Sequence, residues 1–74
     1  MEKKIRLKSL MDAYAFVRDA SRCDYDVDIG HGHKHVDAKS LLGVLGLDLT
    51  KPLTVRCSKE MDPVFFCALR RFAV

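Results

Sequence analysis

The segment Val36–Leu49, Val-Asp-Ala-Lys-Ser-Leu-Leu-Gly-Val-Leu-Gly-Leu-Asp-Leu, limits what this chain can fold into more than any other part of it. It reads as a strand end, then a hydroxyl at Ser40, then one short helix that is apolar almost all round. A serine that opens a helix sets its oxygen among unpaired backbone N–H groups at the positive end of the helix dipole. That place suits a structural cap, and it suits a phosphate equally well. The leucines behind Ser40 are too many for one short helix to bury. Helical geometry groups Leu41, Val44 and Leu45 and turns Leu42 about 100° away, so at least one leucine should stay exposed and mark a contact surface.

Alternation and helical spacing fill in the rest. Lys4 to Lys8 alternates, with Ile5 and Leu7 inward, and predicts a half-buried strand. Ser9, with Asp12 three residues on, opens a helix in the manner of a capping box. Leu10, Ala13, Phe16, Val17 and Ala20 form its inner face, Asp12, Arg18, Asp19 and Arg22 its outer face, and it should end near Ser21. Tyr25 to Ile29 alternates again, with Asp24, Asp26 and Asp28 outward. Gly30-His31-Gly32-His33 reads as a hairpin turn in which both glycines take positive φ, and His33–Ala38 as the return strand. The short helix is expected over Ser40–Leu47. Leu53, Val55 and Cys57 face inward from a fourth strand that follows Pro52. Asp62-Pro63 then starts a last helix, a carboxylate cap followed by proline where its missing N–H costs nothing. Phe65, Ala68, Leu69 and Phe72 are its buried stripe.

The order β-α-β-β-α-β-α, with strands apolar on one face, predicts a two-layer α+β domain spanning 1–74. It is an open-faced sandwich of one four-stranded antiparallel sheet with three helices on one side. The wet face would carry Lys4, Arg6, Lys8, Arg56, Asp26, Asp28, His35 and Asp37. At 74 residues the chain can bury only one modest core, and 49% apolar with 31% charged residues is ordinary for a folded domain. A net charge of +3, with no basic block interleaved with aromatics, gives no reason to expect nucleic-acid binding. Three cysteines without a C-x-x-C spacing fit a reducing compartment. No apolar run has membrane-spanning length and no signal-like segment follows Met1, so a cytoplasmic location is expected.

Other chemistry is sparse. There is no glycine-rich phosphate loop and no Ser/His/Asp arrangement, so an enzyme is not expected, and no cofactor is implied. His31, His33 and His35 offer the one alternative of another class. His33 and His35 would share a strand face and could hold a borderline metal such as Zn²⁺, Ni²⁺ or Cu²⁺, with a carboxylate from Asp26 or Asp28.

With Lys39-Ser40-Leu41-Leu42-Gly43 set in this element order, the chain resembles HPr, the phosphocarrier family of the bacterial sugar phosphotransferase system. The likeness runs from about Asp19 onward; Asp19-Ala-Ser-Arg-Cys23 looks like the end of the family's first helix. The resemblance implies that Ser40 is a regulatory phosphosite served by a dedicated kinase. It also implies that Lys39, Leu41, Leu42 and Leu45 meet a protein partner, a regulator or that kinase; a homodimer through the same leucines is an alternative.

The departure is equally specific. The family carries its phosphoryl group on a histidine in a Gly-x-His-x-Arg-Pro loop leading into the first helix. Here Lys8 runs straight into Ser9, and Met11 stands where the family has a basic residue. The resemblance therefore points to a non-catalytic regulatory or binding module, similar to the catabolite-repression paralogue of HPr, that does not relay phosphate through histidine.

Overall fold

In the computed structural model, which describes residues 1–58 and 62–74, the chain runs β1 (Glu2–Ile5), α1 (Leu10–Ser21), β2 (Val27–His31), β3 (Lys34–Asp37), α2 (Leu41–Leu45), β4 (Leu53–Cys57) and α3 (Pro63–Leu69). A 3₁₀ turn, Arg70–Phe72, closes it. The strands form one antiparallel sheet in the order β1-β4-β2-β3. Ile5, Val27, Ile29, Leu53 and Val55 are buried on its inner face, together with Ala13, Phe16 and Ala20 of α1, Val44 of α2, and Phe65 and Leu69 of α3. The expected open-faced α+β sandwich is what forms. No helix among the described residues is long and apolar enough to cross a membrane.

The outer face carries the charges. Lys4, Arg6, Lys8, Asp26, Asp28, Asp37 and Arg56 are exposed, and His35 is half-buried. The register places Arg56 between Glu2 on one side and Asp28 on the other, so opposite charges lie across the ladder at its centre.

Several boundaries differ from the sequence pattern, each for a local reason. β1 ends at Ile5 rather than Lys8, because its partner strand runs out: Ile5 faces Leu53, and the residue before that is Pro52, which has no N–H to give. The Arg6 N–H donates instead to the Phe72 carbonyl, and Ile5 bridges Ala73. Leu10, expected inside α1, is 55% exposed. Asp19, expected outside, is buried: it lies three residues after Phe16 and one before Ala20, on the flank that α3 covers. α2 is shorter than expected, ending at Leu45 with Gly46 as its C-cap, although Leu47 beyond it is still buried.

The hairpin is the largest correction. Gly30 and His31 belong to β2, and the turn is only Gly32-His33, with Gly32 alone at positive φ (+61°). Gly30 is needed for a different reason. It lies opposite His35, and a Cβ there would meet the Lys34 carbonyl oxygen and come within 2.6 Å of His35 Nδ1 and 2.7 Å of its Cα. Backbone and imidazole together fill the space a side chain would take.

The two glycines should therefore separate in a urea titration. Gly30→Ala is expected to lower stability by about 1–3 kcal/mol through forced displacement of backbone. Gly32→Ala, where the space is open and only the left-handed φ is strained, should cost about 1 kcal/mol. Equal losses at the two positions would contradict this account.

Candidate functional site

Ser40 holds an extended backbone (φ −103°, ψ 109°), and its Oγ accepts from the Gly43 N–H at 3.2 Å. Its own N–H donates to the Asp37 carbonyl at 3.0 Å, and its carbonyl receives the Val44 N–H at 3.0 Å. The side chain is exposed. Ser40 is thus the cap of α2 and reachable at the same time. Gly43 lets the helix lie close: a Cβ there would stand 3.3 Å from Val36 Cβ and 3.4 Å from Ser40 Oγ.

The neighbouring Lys39 points elsewhere. Its ammonium donates to the Cys23 carbonyl at 2.8 Å, tying α2's entry to the loop after α1, while its N–H donates to Asp37 Oδ1 at 2.9 Å. In α2 itself Val44 is fully buried and Leu41 half-buried, whereas Leu42 is 85% and Leu45 37% exposed. α1 packs against α2 and adds Leu10, Met11 (75% exposed) and Tyr14, all exposed. The pattern reading missed Leu10 and Tyr14 as surface groups. Their signal was present, since Leu10, Met11 and Tyr14 stand one and four residues apart and border the Ala13-Phe16-Ala20 stripe rather than extend it.

At the β1–α1 junction Arg6, Lys8, Ser9, Leu10, Leu49 and Thr50 line an open cleft of about 450 Å³. Arg6 donates to the Thr50 carbonyl at 2.8 Å. Ser9 Oγ accepts from the Asp12 N–H at 3.1 Å, and Asp12 Oδ2 accepts from the Lys8 N–H at 2.9 Å. The capping pair therefore forms, with the return bond one residue earlier than the usual box. Nearby, the Thr50 hydroxyl and N–H hold the Asp48 carboxyl below its ordinary range.

The histidines do not assemble. His33 is a turn residue and does not share a strand face with His35, and His31 and His33 are exposed. His35 Nε2 lies 3.1 Å from the Gly32 carbonyl, and its Nδ1 is buried without a hydrogen-bond partner. Among the described residues no three potential ligands come together to hold a metal ion. The metal reading finds no support.

A second polar cluster joins β2's entry to α3. Asp62 caps α3 by accepting the Phe65 N–H through Oδ1 (3.1 Å), and accepts the Tyr25 hydroxyl through Oδ2 (2.7 Å). Burial first, then the neighbouring Cys23 thiol and this hydrogen bond to Asp62, push the Tyr25 hydroxyl well above the usual tyrosine range.

The model of a protein family described as "PTS HPr component phosphorylation site" matches residues 10–62, most of the chain and all of this surface except the β1–α1 entry. The chain belongs to the HPr family. Solved structures agree on the fold. HPr-C-His from Thermoanaerobacter tengcongensis superposes with a TM-score of 0.75 at 22% identity, covering 96% of this chain and 88% of that one. The phosphocarrier protein HPr from Bacillus anthracis str. Ames gives 0.72 at 20% identity, covering 97% and 95%. No curated protein matches the chain.

The Tyr25–Asp62 bond has a pH signature. Because the fold favours the neutral phenol, its contribution is complete below the unfolded tyrosine pKa of about 10 and is lost as pH rises above it. Tyr25→Phe should therefore cost about 1 kcal/mol near neutral pH, with the gap to wild type narrowing in alkaline solution. Denaturation at a series of pH values checks it; a gap that widens with pH would refute the assignment. Ser40→Ala should cost about 1 kcal/mol through loss of the α2 cap, and Ser40→Asp should recover most of it.

Proposed function

We propose that this HPr-family chain, taken as a single unit over 1–74, is a cytoplasmic, non-catalytic regulatory or binding module. It meets a protein partner, a regulator or a kinase, through Lys39, Leu41, Leu42 and Leu45, and phosphorylation of Ser40 switches it. The observation that carries the reading is the junction Lys8-Ser9-Leu10: the family's phosphohistidine loop has no counterpart there, while Ser40 keeps an exposed hydroxyl at the mouth of α2.

Relay of a phosphoryl group needs a nucleophile that takes and gives it readily, and an imidazole does so near neutral pH. Ser9 offers a hydroxyl already engaged as the α1 cap, with a neighbouring carboxylate that is itself bonded to the Lys8 N–H. At Ser40 a kinase would transfer the γ-phosphoryl group of ATP to Oγ, the hydroxyl proton leaving with the kinase's base. The product adds nearly two negative charges beside backbone N–H groups at the start of α2, where they are tolerated. The exposed Leu42 and Leu45 lie within the two helical turns that follow, so the charge arrives at the edge of an apolar surface and alters what can dock there.

Incubation with an HPr serine kinase and ATP, read by intact mass spectrometry, should add one phosphate to wild type and none to Ser40→Ala. Phosphoenolpyruvate with the general phosphotransferase enzyme should leave both unlabelled. An unlabelled wild type under conditions that label HPr would remove the Ser40 switch. Labelling from phosphoenolpyruvate would restore a carrier role.

A further inference from the structure

The residue before Ser40 is tied to the far end of α1. The Lys39 ammonium donates to the Cys23 carbonyl at 2.8 Å, across 16 residues of sequence, and this half-buried bond fixes the entry of α2 against the loop that follows α1. Asp37 lies on the Ser40 side: its Oδ1 accepts the Lys39 N–H at 2.9 Å. Yet among the described residues the ammonium forms no ion pair, with Asp37 or with any other carboxylate. The acceptor that holds it is a neutral dipole. Ser40 itself is the next residue, about 3.8 Å along the backbone, and a four-carbon lysine stem is long enough to turn back over that distance.

We propose that phosphorylation of Ser40 draws the Lys39 ammonium from the Cys23 carbonyl to the phosphate, so that the modification cuts the tie between α2 and the end of α1. This rests on the reading of Ser40 as the modified residue and names what the modification does. A phosphate brings nearly two negative charges and three acceptor oxygens. At equal distance a charge attracts an ammonium more strongly than a carbonyl dipole does. Lysine is a flexible point charge, so it exchanges one acceptor for the other without the set geometry that a guanidinium fork requires. α1 keeps its last turn, because the Arg22 and Cys23 N–H groups stay on the Asp19 and Ala20 carbonyls at 3.3 and 3.1 Å. What is lost is a fixed point between two helices. α2 carries the exposed Leu42 and Leu45, and α1, against which it packs, carries Met11 and Tyr14. With the tie cut, α2 turns against α1 and the spacing of those groups changes. Two residues beyond Cys23, Tyr25 holds the Asp62 cap of α3, so loosening at Cys23 also reaches the third helix.

The test uses the full chain carrying phosphoserine at position 40, installed during synthesis, with ¹³C and ¹⁵N NMR following the Cys23 carbonyl and the Lys39 Nζ. Phosphoserine should move the Cys23 carbonyl resonance upfield, as loss of a hydrogen bond does, and should shift the Nζ resonance. Hydrogen exchange at the Arg22 and Cys23 amides should quicken about tenfold, the loss of one charge-assisted hydrogen bond. Lys39→Met keeps the stem without the ammonium; its Cys23 carbonyl should already resonate at the released position and should not move further on phosphorylation. If that variant does not fold, the Nζ and carbonyl resonances of the wild-type background decide. The proposal falls if the phosphorylated chain keeps its Cys23 carbonyl and Nζ resonances, or if the carbonyl moves equally in Lys39→Met. These shifts do not depend on whether an HPr serine kinase labels the chain, so the two readings fail separately.

Discussion

The edge-to-face contact of Phe16 and Phe72 holds the two ends of this small fold together. Their ring centroids lie 6.3 Å apart at an interplanar angle of 77°, and both rings are buried. Such a pair adds about 0.5–1.5 kcal/mol beyond the area it buries. Its position matters more than that increment. Phe16 sits in the middle of α1, over the sheet, and Phe72 ends the 3₁₀ turn whose carbonyl takes the Arg6 N–H that β4 cannot. The pair therefore closes the last segment of the chain over the exit of the first strand. A sheet that buries only one face has no second layer to compensate for a gap there.

Above that sheet the helices are short, of 12, 5 and 7 residues, and helices of this length are marginal by themselves. Each is started by a side-chain oxygen: Ser9, Ser40 and Asp62 all accept from the N–H three residues on. Packing holds the helices down, and the caps fix where they begin. Two of those caps are tied into the rest of the fold. Asp12 returns a bond to the Lys8 N–H, and Asp62 reaches Tyr25. Ser9 and Ser40 are both exposed hydroxyls, and at Ser40 the neighbouring ammonium turns away to Cys23. That leaves the oxygen bound on one side and open on the other.

Elements and faces were legible in the chain, because alternation and helical spacing report burial directly: Ile5, Val27, Ile29, Leu53, Val55, Phe16 and Leu69 are inside as their periods require. The caps at Ser9, Ser40 and Asp62 were legible for the same local reason. What failed needed a second element to decide it. β1 stops where Pro52 stops its partner, a fact of register. Gly30 is a strand residue because the backbone and imidazole of β3 occupy the space above it, so two glycines two apart did not mean two turn positions. Asp19 looks external on a single-helix projection and becomes internal only when α3 lies beside it. Lys39 looks like a companion for Ser40 in sequence, yet its long side chain satisfies a carbonyl at the end of α1 instead.

These placements change the character of the surface around α2. Met11 stands near the start of α1, the Lys39 ammonium donates to the Cys23 carbonyl, and the Lys34 ammonium reaches the Gly46 carbonyl at the end of α2. The large apolar groups exposed on the two adjoining helices are Leu10, Met11, Tyr14, Leu42 and Leu45. A partner meeting them would gain chiefly from apolar burial. A phosphate on Ser40 would add negative charge at that edge. In such a setting the modification acts as a change of sign and solvation at the border of an apolar contact, which excludes one class of partner as readily as it recruits another.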